Sequence, residues 1–228
     1  MISIDNISVL NIENAIRGMR NPLDSWDRSD SKFCYDIGLK CEACSLNDVC
    51  NNHILDIKFP RIVLGSNDKE LALKLIKAGS DHAKFLRQIF VSMDINAPLY
   101  WWKEMDTYKI GTTTNSCSIM HTIHKKPFSI DMFSVDEENI DLIEFYNAIL
   151  IPQLEQYRKL YLETGDKKYW RMLIQLLPTS FNQLRTWTGS YANLRNMYHS
   201  RKNHKLIEWR EFCTTLEMLP YREFIAVT

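Results

Sequence analysis

Two stretches of the 228-residue chain concentrate side chains that could do chemistry. The first, CYDIGLKCEACSLNDVC, carries Cys34, Cys41, Cys44 and Cys50 at spacing C-x6-C-x2-C-x5-C, and His53 follows three residues later. A C-x2-C pair lets two thiolates reach one tetrahedral ion from a tight knuckle. The outer cysteines complete a four-ligand set, with His53 as an alternative fourth ligand. Four such ligands saturate zinc, so the metal expected here is structural; an iron–sulfur cluster or four free thiols are the other readings of the same spacing. The second stretch, GTTTNSCSIMH, runs from Gly111 to His121 and holds seven consecutive small or hydroxyl-bearing residues, Thr112 to Ser118. Short hydroxyls and amides donate and accept without filling the space a polar ligand needs. The same residues also bond readily to nearby backbone and make capped turns.

The elements that must position these residues follow from periodicity. NDKELALKLIKAG places Leu71, Leu75 and Ala78 on one stripe, with Asn67 able to cap the start and Gly79 the end, which predicts a helix over 67–79. QIFVSMDI alternates Ile89, Val91, Met93 and Ile95 against Phe90, Ser92 and Asp94, the period of a strand with two unlike faces. Pro98 ends that run, and LYWWKEMDTYK reads as a helix leading into the hydroxyl-rich stretch. Trp101 and Trp102 have the flat faces to stack on a base, but adjacent aromatics on one element are first of all core residues.

The second half reads as mainly helical. Residues Glu137 to Leu162 form one helix kinked at Pro152, KKYWRMLIQLLP forms another stopped by Pro178, and two more run over Tyr191–Arg201 and Lys205–Leu219 after a break at WTGS. Residues 21–61 lack periodicity and are rich in Asp, Ser, Asn and Cys, which predicts an irregular arm. The fold class expected is α+β: one domain over 1–228, with a small antiparallel or mixed sheet packed with a larger helical part and a Cys-rich insertion at 21–61.

The 28 basic and 28 acidic residues cancel, which disfavours a broad, sequence-independent nucleic-acid surface. No stretch approaches the roughly 18 apolar residues of a membrane span, and MISIDNISVLNIENAIR lacks the charged start and apolar core of a signal peptide. A cytoplasmic protein with reduced or metal-bound cysteines is the expectation.

Taken in order, DHAKFLRQIFVSMDINAPLYWWKE, the hydroxyl-rich stretch and SYANLRNMYHSRKNH resemble the flavin-dependent thymidylate synthases. The resemblance covers roughly the last two-thirds of the chain and leaves the cysteine segment outside. In that family a His and a Phe lead into a strand, a proline, and a helix that delivers R-H-R-x-x-S-x-N-x-x-S-x-R-Y. Laid on this sequence without gaps, Thr113, Asn115 and Ser118 stand at the hydroxyl, Asn and second Ser positions. Tyr108, Lys109 and Ile110 stand at R-H-R, and Met120 and His121 at the closing R-Y. Neither isoleucine nor methionine replaces an arginine fork, so a phosphate would be held by Lys103, Lys109 or His121 instead.

Near the C-terminus the family has N-F-L-x-L-R followed by a histidine; NMYHSR gives Asn196 and Arg201, and His204 follows. The pair is expected to line adjacent walls of one pocket. The resemblance implies FAD bound through His82, Asn196 and Asn115, and a pyrimidine deoxynucleotide bound through Thr113, Ser118, His121 and Lys109. It also implies a folate one-carbon donor, a homotetramer, and methyl transfer in which Arg201 stabilises negative charge on the uracil carbonyl. Where the family has an acidic group stands Arg87, expected in a salt bridge. The rival expectation is a nucleotide-binding protein that keeps the fold without flavin chemistry. A third is a regulatory protein whose zinc arm binds a partner.

Overall fold

The computed structural model describes residues 2–34 and 61–227. Its strands are β1 (Ser3–Leu10), β2 (Lys32–Cys34), β3 (Arg61–Val63), β4 (Phe90–Pro98), β5 (Thr113–Ser116) and β6 (Asn182–Ser190). Its helices are α1 (Ile12–Arg20), α2 (Ser66–Lys77), α3 (Leu99–Met105), α4 (Ile119–Thr122), α5 (Ile140–Phe145), α6 (Ile151–Thr164), α7 (Lys167–Leu176), α8 (Tyr191–Arg201), α9 (Ile207–Leu216) and α10 (Glu223–Ala226). The fold is α+β with more helix than strand. Four strands make one small antiparallel sheet in the order β1-β4-β6-β5, and β2 pairs antiparallel with β3, Cys34 opposite Arg61. The expected strand QIFVSMDI, residues 88–95, is β4, and Ile89, Val91, Met93 and Ile95 are all fully buried. Among the described residues no helix is long and apolar enough to cross a membrane.

The chain groups into two compact units. One comprises Ile4–Asp94, Tyr108–Thr113 and Trp187–Thr228. Its core gathers Val9, Ile12, Ile16, Phe85, Leu86, Trp187, Tyr191, Leu194, Met197, Trp209, Phe212 and Phe224, all nearly or fully buried. In this unit α2 departs from the face read off its apolar spacing. The buried face is Asp68, Ala72 and Ile76, not Leu71, Leu75 and Ala78. The cause is Asp68, which is fully buried 2.5 Å from Arg20 Nε and accepts bonds from the Ser29 and Ser31 hydroxyls at 2.7 and 2.5 Å. A buried charge so satisfied fixes the helix rotation. The cap is also not Asn67. Asp30, distant in sequence, accepts the Asn67 and Asp68 amides at 3.0 and 3.1 Å, while Gly79, at φ +106°, takes the left-handed conformation that follows the helix end. Helix α8 starts with a capping box in which Ser190 and Asn193 satisfy each other's backbone amides.

The other unit comprises Met1–Ser3, Ile95–Thr107 and Thr114–Thr186. Its helices pack around Ile123, Phe128, Phe133, Tyr146, Leu150, Leu154 and Leu173. Trp101 and Trp102 are core residues, edge-to-face at 4.9 Å, and the Trp102 indole N–H donates to the Gln183 carbonyl. The long helix expected over 137–162 is interrupted, but by a π-helical segment, Tyr146–Leu150, just ahead of Pro152. Pro152 has no N–H to give the carbonyl four residues back, so the ladder is disturbed on its N-terminal side. The WTGS segment, expected as a break, is the end of β6.

Candidate functional site

Helix α8 carries residues of two sites on its two flanks. On one flank Ala192, Arg195, Asn196 and His199 face Ile76, Gly79, Ser80, Ala83, Leu86 and Arg87 across a cavity of about 460 Å³. The spacing 192, 195, 196, 199 is one helical stripe, so a single element presents an amide, a guanidinium and an imidazole together. The volume is that of a small-molecule site. Arg195 is held by the backbone carbonyls of Ile225 and Val227, and burial lowers its pKa. His199 is kept neutral more readily than a free histidine, first by burial and then by the charges of Arg195 and Lys202; the Val227 and Ile225 carbonyls act against this. Its Nε2 is buried with no partner among the described residues.

On the other flank the Arg201 guanidinium lies 4.8 Å over the Trp209 ring and 5.6 Å from the Tyr108 ring, and its Nε–H donates to the Tyr108 hydroxyl at 2.9 Å. Trp209 is fully buried, and Tyr108 meets it edge-on at 6.0 Å. Two bonds hold the loop that carries Tyr108. The Asn193 side-chain amide donates to the Ile110 carbonyl at 2.8 Å, and the Thr112 hydroxyl to the Tyr108 carbonyl at 2.6 Å. Gly111, at φ +72°, lets the loop turn between them. Two groups between α8 and α9 keep their protons. The Cys213 thiol is pushed up to about 12 by burial and by Glu217, and the Tyr198 phenol to about 12 by its hydrogen bond to Glu217.

The expected site residues are not all gathered. Asn196 lines the cavity and Arg201 does not, so the expected single pocket for the pair is two flanks of one helix. His82 is exposed in the turn after α2, its N–H bonded to the Gly79 carbonyl, beside the cavity but not in its lining. Arg87 lines the cavity and has no carboxylate partner among the described residues, in place of the salt bridge expected of it. Lys109 is exposed on the pinned loop, and Thr113 opens β5. In the other unit Asn115 is exposed on β5, Ser118 precedes α4 and bonds the His121 amide and the Thr122 hydroxyl through its carbonyl, and His121 is exposed. The hydroxyl-rich stretch is thus an exposed edge strand rather than a turn. Of the cysteine set, Cys34 ends β2, and Cys41, Cys44, Cys50 and His53 lie outside the described residues. Among the described residues no three potential ligands gather around a point.

Sequence reasoning missed Tyr108, Trp209, Arg195 and His199. Tyr108 was read only as a lost arginine, and Trp209 only as a helix residue; the pairing of the two around Arg201 has no local signature.

No family profile and no curated protein matches the sequence. The fold is nonetheless similar to that of two solved structures of flavin-dependent thymidylate synthase ThyX from Helicobacter pylori, each complexed with FAD and dUMP. One matches with a TM-score of 0.65 at 16% identity, covering 98% of this chain and 98% of that one. The other matches with a TM-score of 0.67 at 17% identity, covering 99% and 97%. At such identity the likeness is one of fold.

Proposed function

We propose, from a fold shared along nearly the whole chain with proteins that hold FAD and dUMP, that this protein binds a pyrimidine deoxynucleotide beside a flavin and transfers a one-carbon unit to the base or otherwise modifies it. The observation that carries this reading is the full-length match in fold, together with the cavity on α8. The lining fits part of a flavin. Ile76, Ala83, Leu86 and Ala192 suit the face of a flat ring, Asn196 its polar edge, and Arg87 an anionic phosphate. A bound flavin would supply hydride. The chain's own residues bind and orient: Asn196 holds the ring edge and His82 stands at the cavity's approach. Arg201 offsets negative charge that develops on a pyrimidine carbonyl. Lys109, Thr113, Asn115, Ser118 and His121 are the proposed polar contacts to the nucleotide, with folate as one-carbon donor and a homotetramer as the working assembly. Zinc on Cys34, Cys41, Cys44 and Cys50 is proposed from their spacing alone.

A second reading, nucleotide binding without flavin chemistry, is favoured by one observation. Tyr108, Ile110 and Met120 carry no charge where the family has arginines, and Ile110 is 91% exposed with nothing polar to offer a phosphate.

One purified sample separates these readings. A flavin absorption spectrum, native or after incubation with FAD, with dUMP turnover that Arg201→Ala abolishes, is the outcome expected of the enzyme. Nucleotide binding without any flavin establishes the second reading. Elemental analysis of the same sample is expected to give one zinc per chain, and a metal-free protein sinks the zinc proposal.

A further inference from the structure

We propose that Tyr108 is the positioning residue for Arg201, holding its guanidinium in one orientation toward a pyrimidine nucleotide; this rests on the nucleotide-binding reading above. An arginine side chain has several rotatable bonds, and an exposed one samples many orientations at little cost. Among the contacts that restrain Arg201 are a ring and a hydroxyl. Its guanidinium carbon lies 4.8 Å over the Trp209 ring, which is fully buried and cannot follow it outward, and its Nε–H is fixed by the Tyr108 hydroxyl at 2.9 Å. Stacking alone lets a guanidinium rotate in its own plane over the ring. A hydrogen bond to Nε removes that rotation, because Nε lies at the stem end of the fork and sets which way the fork points.

The phenol can do this only if its own backbone is fixed, and it is. The Asn193 amide and the Thr112 hydroxyl pin the loop on either side of Gly111. Asn193 belongs to the same helix as Arg201, two turns earlier, and it is also the residue that completes the capping box with Ser190. Helix α8 therefore carries both the arginine and the anchor of the loop that orients it. A tyrosine at position 108 also adds no charge of its own beside Arg201, so that position brings no second charge to compete with the guanidinium.

The test is a double-mutant cycle read by dUMP binding. Dissociation constants for dUMP, with FAD present in excess, are measured calorimetrically for the native protein, Tyr108→Phe, Arg201→Gln and the double variant. The phenylalanine keeps the ring contacts and removes only the hydroxyl. Tyr108→Phe is expected to weaken dUMP binding about tenfold, a typical hydrogen bond to a charged group. The same change in the Arg201→Gln background is expected to have no further effect, since there is no guanidinium left to orient. Melting temperatures of all four proteins, read in parallel, report folding. Equal weakening in both backgrounds, or native affinity in Tyr108→Phe, overturns the positioning role while the native protein still binds dUMP. Absence of dUMP binding by the native protein overturns the nucleotide reading itself, and the proposal falls with it.

Discussion

At the scale of single residues, Asp68 is the most consequential side chain outside the site. It is fully buried, and burial alone would raise its pKa, but bonds from Ser31, Ser29 and Arg20, with the Arg20 charge, more than offset this and lower it. A carboxylate with a folded pKa below its unfolded value, about 3.9, stabilises the fold above that value. The contribution is lost as pH falls through the folded pKa. Asp68→Asn leaves Arg20, itself 3% exposed, without its counter-charge, and is expected to cost about 3–5 kcal/mol at neutral pH. Urea unfolding of both proteins at pH 7 and in steps below about pH 3.9 checks this: the gap should begin to narrow below the unfolded value and close as pH falls through the folded one. A gap that stays constant would remove the ion pair as its cause. Little of this network was legible, because Arg20, Ser29, Ser31 and Asp68 are separated in sequence and individually look like surface residues. Trp101 and Trp102 are legible as core for the opposite reason, since two adjacent indoles are hard to place anywhere else.

At the scale of elements, legibility followed the purity of the period. β4 alternates apolar and other residues without interruption, and QIFVSMDI reads its start two residues early and its end three residues short. β6 mixes Gln183, Arg185 and Thr188 into its faces, so its period is masked; Arg185 is satisfied by Gln183 and Asp106 and lies 4.3 Å over the Trp102 ring. Its Gly189 looked like a breaker and is instead a concession to a neighbour. Residues 187 and 189 point to the same side of a strand. A Cβ on Gly189 would come 2.5 Å from Cζ2 of Trp187, which is 1% exposed and has nowhere to move. Gly189→Ala is expected to cost about 1–3 kcal/mol through overpacking. A thermal melt that matched the native one would show that the indole yields. The same glycine precedes the capping box of α8, so strain introduced there is carried to the helix that bears Asn196 and Arg201. The positions of those two residues on α8 were legible from their spacing. A five-residue separation already sets them about 140° apart on a helix; which partners, Trp209 and Arg87, each flank meets is what no helical period reveals.

At the scale of the whole molecule, the proposed homotetramer has a candidate surface. Leu142, Phe145 and Ile149 fall on successive turns through α5 and the π-helical segment and are 43%, 46% and 58% exposed. Neighbouring apolar side chains left in water at this density are characteristic of an interface. Phe145→Glu is expected to shift the mass measured by light scattering to smaller species, with the melting temperature close to native for the dissociated chain. A native protein that is already monomeric would refute the assembly. The π-helical segment has a further meaning. A π turn holds one residue more than the α-helix it interrupts, so the surplus is taken up between Tyr146 and Leu150 without rotating α6 relative to α5. It is therefore a place where the chain can tolerate a change in its own length: loss of one residue there would remove the surplus and leave every downstream face, Leu154 and Tyr157 included, pointing where it does now, with Pro152 still interrupting the hydrogen-bond ladder.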